Sequence, residues 1–353
     1  MTTEEKYMRR CLQLAENGRG YVSPNPMVGA VIVHNNKIIG EGFHREYGKP
    51  HAEVNAINSV KDKSLLRESV IYVSLEPCSH YGKTPPCSQL IIDSGIPKVV
   101  VATTDPYPEV SGRGIRMLQN AGIEVITGVL EHEARLLNKE FISAQVKKRP
   151  YIYLKWAQTE DGFIDKLRTE NSLHTPTPIS NEFTRMLVHK LRSEVAAIMI
   201  GTNTAINDNP SLTTRYWYGK NPIRIVLDRL GRIPKDYKIF DNSIRTLIFT
   251  ESLPDNQPSE INVTYVEIPF DKHLLPTLLS KLNELKIDSL LVEGGSLLLN
   301  SFINAQLWDE AFIEIADKQF GSGVPAPELK GHVKNERIFK GSKQKHLIRE
   351  INL

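Results

Sequence analysis

The spacing of His51-Ala-Glu53, Glu76-Pro77-Cys78 and Pro85-Pro86-Cys87 constrains this chain more than any other feature. One imidazole and two thiolates form a three-ligand set for zinc, with a fourth position left for water. Two thiolates and a neutral histidine also balance the charge of the dication. His51 follows Pro50 and Cys87 follows Pro85-Pro86, so both are expected at helix starts. The partial positive charge there favours thiolate over thiol. Only Cys11, Cys78 and Cys87 occur in the 353 residues, and in a large reduced protein a close pair reads as a metal or catalytic site before a disulfide. Two alternatives stay open: a structural zinc site with His44 or His80 as fourth ligand, and a 78–87 disulfide. Cys11, on a helix face, reads as core.

Around this motif strands and helices alternate, which implies a sheet covered on both faces. Glu4 to Asn17 has the helical spacing of Tyr7, Cys11, Leu14 and Ala15. Val28–Val33 and Ile38–Phe43 read as strands joined by His34-Asn35-Asn36-Lys37, a hairpin signal. Val70–Leu75, Val99–Ala102 and Glu124–Thr127 read as further strands, with helices at Ile115–Asn120 and Glu131–Ser143. The charged, proline-terminated Lys147-Lys148-Arg149-Pro150 marks a boundary, giving domains at 1–146 and 150–353. A second alternating series follows: strands at Tyr151–Ala157, Ala197–Ile200, Ile223–Leu227, Leu247–Phe249 and Leu290–Val292, and helices at Asn181–Ser193, His273–Leu285 and Ser296–Asn304. Pro254 to Ser259 reads as a surface loop.

Composition narrows the class. Hydrophobic residues make up 40% and charged residues 24%, enough for a core in each half. A net charge of +3 does not suggest a nucleic-acid partner. The first residues mix both charge signs without the apolar core of a signal peptide, and no stretch reaches the ~18–20 apolar residues of a membrane span. A cytoplasmic protein with no membrane partner is the expectation.

Zinc lowers the pKa of its water to about 7, giving hydroxide at neutral pH. That hydroxide can attack the amine-bearing carbon of an amidine-like ring. The departing nitrogen needs protons, and a carboxylate that is not a ligand, Glu53, can carry them. The H-x-E…P-C pattern is the zinc deaminase signature.

Three runs carry a more specific resemblance: Pro24-Asn25-Pro26-Met27-Val28-Gly29-Ala30-Val31-Ile32-Val33, His51-Ala-Glu53, and Leu75-Glu76-Pro77-Cys78-Ser79-His80-Tyr81-Gly82-Lys83-Thr84-Pro85-Pro86-Cys87. With Asp105-Pro106 and Gly112-Arg-Gly114, they resemble the bifunctional riboflavin-biosynthesis deaminase–reductase family. Eight residues separate the two cysteines here, where tRNA-editing and cytidine deaminases usually have two. The resemblance implies an α/β chain, a cytidine-deaminase-like α/β/α domain followed by a dihydrofolate-reductase-like α/β domain. It implies one Zn2+ per chain and NADPH. The expected chemistry is hydrolytic deamination of a diaminopyrimidinone ribosylamine 5′-phosphate, then reduction of its ribosyl group to ribityl. Asn25, His44, His80 and Lys83 match family substrate positions; His44 and His80 are expected to donate hydrogen bonds to the sugar or phosphate. A homo-oligomer is the expected assembly.

The second half lacks G-x-G-x-x-G, so no Rossmann dinucleotide site is supported. Val292-Glu293-Gly294-Gly295-Ser296 reads instead as a buried strand entering a helix through a turn where backbone N–H groups can approach a phosphate. By resemblance, Gln158, His174, Thr204, Asp208, Gly294, Gly295 and Ser296 are cofactor positions. Ser172, Leu212 and Arg215 are substrate positions, and Lys155 and Glu293 stand beside the reacting ribose. Arg185 and Arg192 fit a helix-surface salt bridge at least as well as a site. The chain departs from the family at Gln158-Thr159-Glu160-Asp161-Gly162 and at Ser172-Leu173-His174, where a cofactor-contacting tryptophan is usual. Two other functions compete: a nucleic-acid or nucleoside base deaminase with an appended non-catalytic domain, and a zinc-stabilised binding module. Glu53 argues against the latter, because structural zinc needs no proton shuttle.

Overall fold

The computed structural model describes residues 1–81, 85–107, 111–168, 176–254 and 261–349. The chain divides into two compact units, Met1–Lys148 and Arg149–Leu353.

The first unit runs α1 (Thr3–Glu16), β1 (Gly29–His34), β2 (Lys37–Phe43), α2 (Ala52–Ser59), β3 (Val70–Val73), α3 (Cys87–Asp93), β4 (Lys98–Val101), α4 (Arg113–Asn120), β5 (Glu124–Thr127), α5 (Glu131–Leu137) and α6 (Lys139–Val146). Thr2 and Glu5 form a reciprocal capping box that starts α1. Asn35 and Asn36 both adopt left-handed backbone, φ 47° and 60°, which lets a two-residue turn join β1 to β2. The sheet order is β2-β1-β3-β4-β5, with β3, β4 and β5 parallel and β1 antiparallel to both neighbours. Period-2 alternation splits the core in two. Ile32, Ile71, Val73, Val99 and Val101 face α2, α3 and α4, while Val31, Tyr72 and Val100 face α1 and α5. Cys11 lies in the second layer and its thiol donates to the Tyr72 carbonyl at 3.3 Å, so it is core.

One expected element differs. The helix read over Glu131–Ser143 is broken at Asn138, whose φ of −106° and ψ of 24° separate α5 from α6. Buried Asn138 uses its amide to pair with the backbone of Met27, accepting from N–H at 2.8 Å and donating to C=O at 3.0 Å. The break thus fastens the segment that leads from Asn25 into β1.

The second unit runs β6 (Tyr151–Thr159), β7 (Phe163–Asp165), α7 (Glu182–Glu194), β8 (Ala197–Gly201), α8 (Thr202–Asp208), β9 (Ile223–Leu227), β10 (Thr246–Thr250), β11 (Val263–Glu267), α9 (Leu274–Glu284), β12 (Ser289–Val292), α10 (Ser296–Asn304), β13 (Glu310–Ala316), β14 (Val324–Pro325), β15 (His332–Phe339) and β16 (Ser342–Ile348). Its main sheet, among the described residues, is ordered β11-β10-β9-β8-β12-β6-β13-β16-β15. It is parallel from β11 through β13, and β16 and β15 close it antiparallel. Ile152, Leu154, Met199 and Leu290 pack under α9 and α10, and Tyr151, Tyr153, Ile198 and Leu291 face the opposite layer. Residues 255–259 of the expected surface loop lie outside the described residues.

Candidate active sites

In the first unit His51 is the residue before α2, with extended backbone (φ −69°, ψ 168°), and Glu53 lies in the first turn. Residues two apart diverge inside a helix; here both side chains reach one point because His51 precedes it. Cys87 opens α3 behind Pro86, and its backbone N–H donates to Cys78 Sγ at 3.2 Å. His51 Nδ1 lies 3.7 Å from Cys78 Sγ and 3.4 Å from Cys87 Sγ. Tetrahedral zinc, with bonds of about 2.3 Å to sulfur and 2.0 Å to nitrogen, separates N from S by about 3.5 Å. The donors therefore fit that ion. Among the described residues no fourth His, Cys, Asp or Glu joins the group, and both cysteines are free thiols. That geometry favours neither a structural four-ligand site nor a disulfide.

The electrostatics follow from burial beside two sulfurs. Hydrogen bonding from Cys87, then from His51, pulls Cys78 down to about 4. Cys87, buried against that thiolate, is pushed far up. Glu53 is 3% exposed and hydrogen-bonded to Cys87. Burial first, and the Cys78 charge second, push its carboxyl up to about 7.

Asn25 and His44 meet beside this group. His44 Nδ1 stands 3.1 Å from the Pro50 carbonyl and must donate to it, so Nε2 accepts from the Asn25 amide at 3.1 Å. Both ring nitrogens are engaged. His44 thus orients Asn25, and it packs edge-on to His51, ring centres 5.4 Å apart. His80 is exposed, and Lys83 lies outside the described residues.

Glu76 is the residue whose part the sequence motif did not reveal. Its carboxylate, 5% exposed, accepts from the N–H groups of Asp105 (3.1 Å), Gly112 (2.9 Å), Gly114 (2.9 Å) and Ile115 (3.4 Å). It caps α4 and ties that helix to the loop carrying Cys78. A Cβ at Gly114 would lie 2.0 Å from the Pro77 carbonyl, so glycine is required. Asp105-Pro106 and Gly112-Arg-Gly114 were legible as motif; only the fold shows that one carboxylate gathers them.

In the second unit a cleft of about 960 Å³ opens beside Lys155–Ala157 of β6 and at the ends of β8, β9 and β12. Open parallel sheets bind ligands at these carboxyl ends. Lys155, Thr204, Asp208, Arg215, Glu293 and the Gly294-Gly295-Ser296 turn all line it. A Cβ at Gly294 would come within 2.9 Å of the Ile200 Cα, so the turn can lie against β8 only as glycine. The Gly295 N–H, however, already donates to Thr204 Oγ1 at 2.8 Å. Asp208 is ion-paired with Arg168 at 2.9 Å.

Arg192 is not on a helix surface. Its side chain is only 13% exposed and is bidentate to Glu293, at 2.9 and 2.6 Å. Burial alone would raise Glu293, but Arg192 holds it below its ordinary value. Lys155 makes no hydrogen bond to a described residue, and burial lowers its pKa against the pull of Glu293 and Glu314. Two expected contacts do not line this cleft. Leu212, with φ 52°, is 3% exposed and packed in the core, and Gln158 accepts from Trp156 Nε1 at 2.8 Å. Ser172 and His174 lie outside the described residues.

Comparison with known proteins matches both units. Residues 1–103 match the model of the cytidine and deoxycytidylate deaminase zinc-binding region, and residues 150–347 match the RibD C-terminal domain. The riboflavin biosynthesis protein RibD of Aquifex aeolicus is 41% identical over 328 residues, covering 92% of this chain and 90% of the relative. That of Escherichia coli is 37% identical over 334 residues, covering 90% and 89%. A Thermotoga maritima structure, described as a diaminohydroxyphosphoribosylaminopyrimidine deaminase/5-amino-6-(5-phosphoribosylamino)uracil reductase, superposes with a TM-score of 0.87 at 38% identity, covering 98% and 99%. RibD of Acinetobacter baumannii gives a TM-score of 0.89 at 32% identity, covering 99% of each chain.

Proposed function

The chain belongs to the family of bifunctional riboflavin-biosynthesis deaminase–reductases, and from that premise we propose how its own residues divide the work. It is a zinc-dependent deaminase and an NADPH-dependent reductase acting on a small molecule. The deaminase work belongs to Met1–Lys148 and the reductase work to Arg149–Leu353. The substrate is the diaminopyrimidinone ribosylamine 5′-phosphate, and its deaminated product is then reduced to the ribityl compound.

His51, Cys78 and Cys87 would hold the zinc, and the cleft at the Gly294-Gly295 turn would hold NADPH with Thr204, Asp208 and Ser296. Zinc, when bound, supplies Lewis acidity that lowers the pKa of water to about 7, and NADPH supplies a hydride. Glu53 takes the proton of the attacking water and delivers it to the departing amine. Asn25, oriented by His44, presents its amide to the pyrimidine edge. His80 and Lys83 serve the sugar and phosphate. In the cleft, Lys155 and Glu293 stand beside the ribose, and Lys155 polarises the imine formed when the ring opens. Arg215 takes the 5′-phosphate. No helix among the described residues is long and apolar enough to cross a membrane. We read the protein as cytoplasmic, without a nucleic-acid partner at a net charge of +3. A homo-oligomer is supported by the edge strand β15, which exposes Val333 and Ile338.

The observation that carries this reading is the tetrahedral spacing of three donors beside a buried carboxylate that is not among them. The test is ammonia release from the pyrimidine ribosylamine phosphate and from tRNA, with and without a chelator. Release from the phosphate alone, stopped by the chelator, is expected. Release from tRNA alone, or release that a chelator leaves untouched, contradicts the assignment.

A further inference from the structure

Arg215, the side chain read above as the phosphate ligand, is exposed, and its own hold on the protein is slight. One N–H donates to Thr213 Oγ1 at 3.0 Å, and the guanidinium lies 5.9 Å from the Tyr216 ring centre. What places it is the backbone. Between α8 and β9, three side chains hold the main chain at alternate residues. Arg224, with no exposed surface, donates to the Ser211 carbonyl at 2.9 Å. Arg192 donates to the Thr213 carbonyl at 3.1 Å. The Arg215 N–H itself donates to His189 Nδ1 at 2.9 Å.

His189 lies on α7, is 3% exposed, lines the cleft and meets Tyr216 edge-on at 4.8 Å. Its Nδ1 can accept only without a proton, so the ring must be neutral with its hydrogen on Nε2. The surroundings enforce this. Burial first, then Arg192 and Arg215, with a lesser push from Arg185, bring it down to about 4 against the opposing pull of Glu293.

We propose that His189 is a positioning residue of the reductase: as a neutral acceptor it fixes the Arg215 main chain, and so the guanidinium that receives the substrate phosphate. The proposal rests on the reading of Arg215 as phosphate ligand. A histidine that merely fills space would do its work through shape; this one works through a single acceptor atom, and the two roles respond differently to substitution. Phenylalanine keeps the ring and removes the acceptor. Asparagine loses the ring and places Oδ1 near the position of Nδ1.

The experiment is steady-state NADPH oxidation by the full, zinc-loaded chain, with the deaminated phosphorylated pyrimidine supplied, for His189→Phe, His189→Asn, Arg215→Ala and the His189→Phe/Arg215→Ala double variant. Thermal unfolding of each preparation, expected to match the parent, controls for folding of the second unit. Leaving one N–H without its partner should raise the KM of the phosphorylated substrate about tenfold in His189→Phe, with kcat and the KM of NADPH within about twofold. His189→Asn should recover most of that loss. In the Arg215→Ala background, His189→Phe should add little, because the two act as a unit. If Arg215→Ala raises KM and His189→Phe does not, the His189 proposal is overturned while the phosphate reading stands. It is also overturned if asparagine is as impaired as phenylalanine, or if kcat falls at unchanged KM. An unchanged KM in Arg215→Ala removes the phosphate reading itself, and the proposal with it.

Discussion

Replacing Glu76 by alanine should destabilise the first unit without touching a zinc ligand. The carboxylate accepts from four backbone N–H groups, two at 2.9 Å and two longer, at 3.1 and 3.4 Å. A hydrogen bond to a charged group contributes about 1.5–3 kcal/mol. The two short bonds give about 3–6 kcal/mol, and the longer pair adds less. Removing a buried charge returns some of its desolvation penalty, so the net cost should be about 3–4 kcal/mol. For a unit of this size each kcal/mol lowers Tm by about 2–4 °C, so the midpoint should fall by about 6–16 °C. Glutamine keeps one acceptor oxygen but turns an NH2 group on the other pair of donors, so it should recover at most half of the loss. The assay is thermal unfolding of the zinc-loaded full chain, followed by zinc titration. Zinc affinity should fall too, because Cys78 lies two residues beyond Glu76. An alanine variant within about 1 kcal/mol of the parent would refute the view that this carboxylate gathers α4 and the Cys78 loop.

Other outcomes follow from the two sites. Glu53→Gln should keep its zinc by elemental analysis while ammonia release falls at least about 10²-fold, the lower end of a general acid–base contribution. Arg192→Ala leaves the largely buried Glu293 carboxylate without its bidentate partner, so unfolding of the second unit should become easier by about 3 kcal/mol, the lower end for breaking a buried pair; NADPH oxidation should fail while ammonia release continues. His189 sets a pH dependence. Its folded pKa of about 4 lies below the ordinary histidine value, so the unfolded chain binds the extra proton first as pH falls. Its contribution is complete above about pH 6.5 and is lost as pH falls toward about 4. Denaturant unfolding across that window should show a shallower loss for His189→Asn than for the parent.

Much of this arrangement was legible in the sequence because it rests on local chemistry. The ligands His51, Cys78 and Cys87 announce themselves by residue type, and prolines mark the helix starts that carry two of them. The hairpin at Asn35-Asn36 and the strand–turn–helix at Glu293-Gly294-Gly295 need only their own residues. What sequence reasoning missed depends on distant partners. The break at Asn138 exists because that amide pairs with Met27, 111 positions away. Arg192 read equally well as a surface salt bridge until the fold brought Glu293, 101 positions on, against it. Strands β15 and β16 went unread because β15 is largely exposed and carries no apolar alternation. Leu212 sits on the loop that leads to Arg215, yet its side chain turns into the core, which a matched motif position cannot show.

The central claim is that one chain carries two chemistries that share no residue. The most direct test strips the metal from the folded full-length protein and assays both reactions on the same preparation. Ammonia release from the pyrimidine ribosylamine phosphate should vanish and return with added zinc, while NADPH-dependent reduction of supplied deaminated intermediate continues at the parent rate. Loss of both activities from a preparation that remains folded would contradict the account.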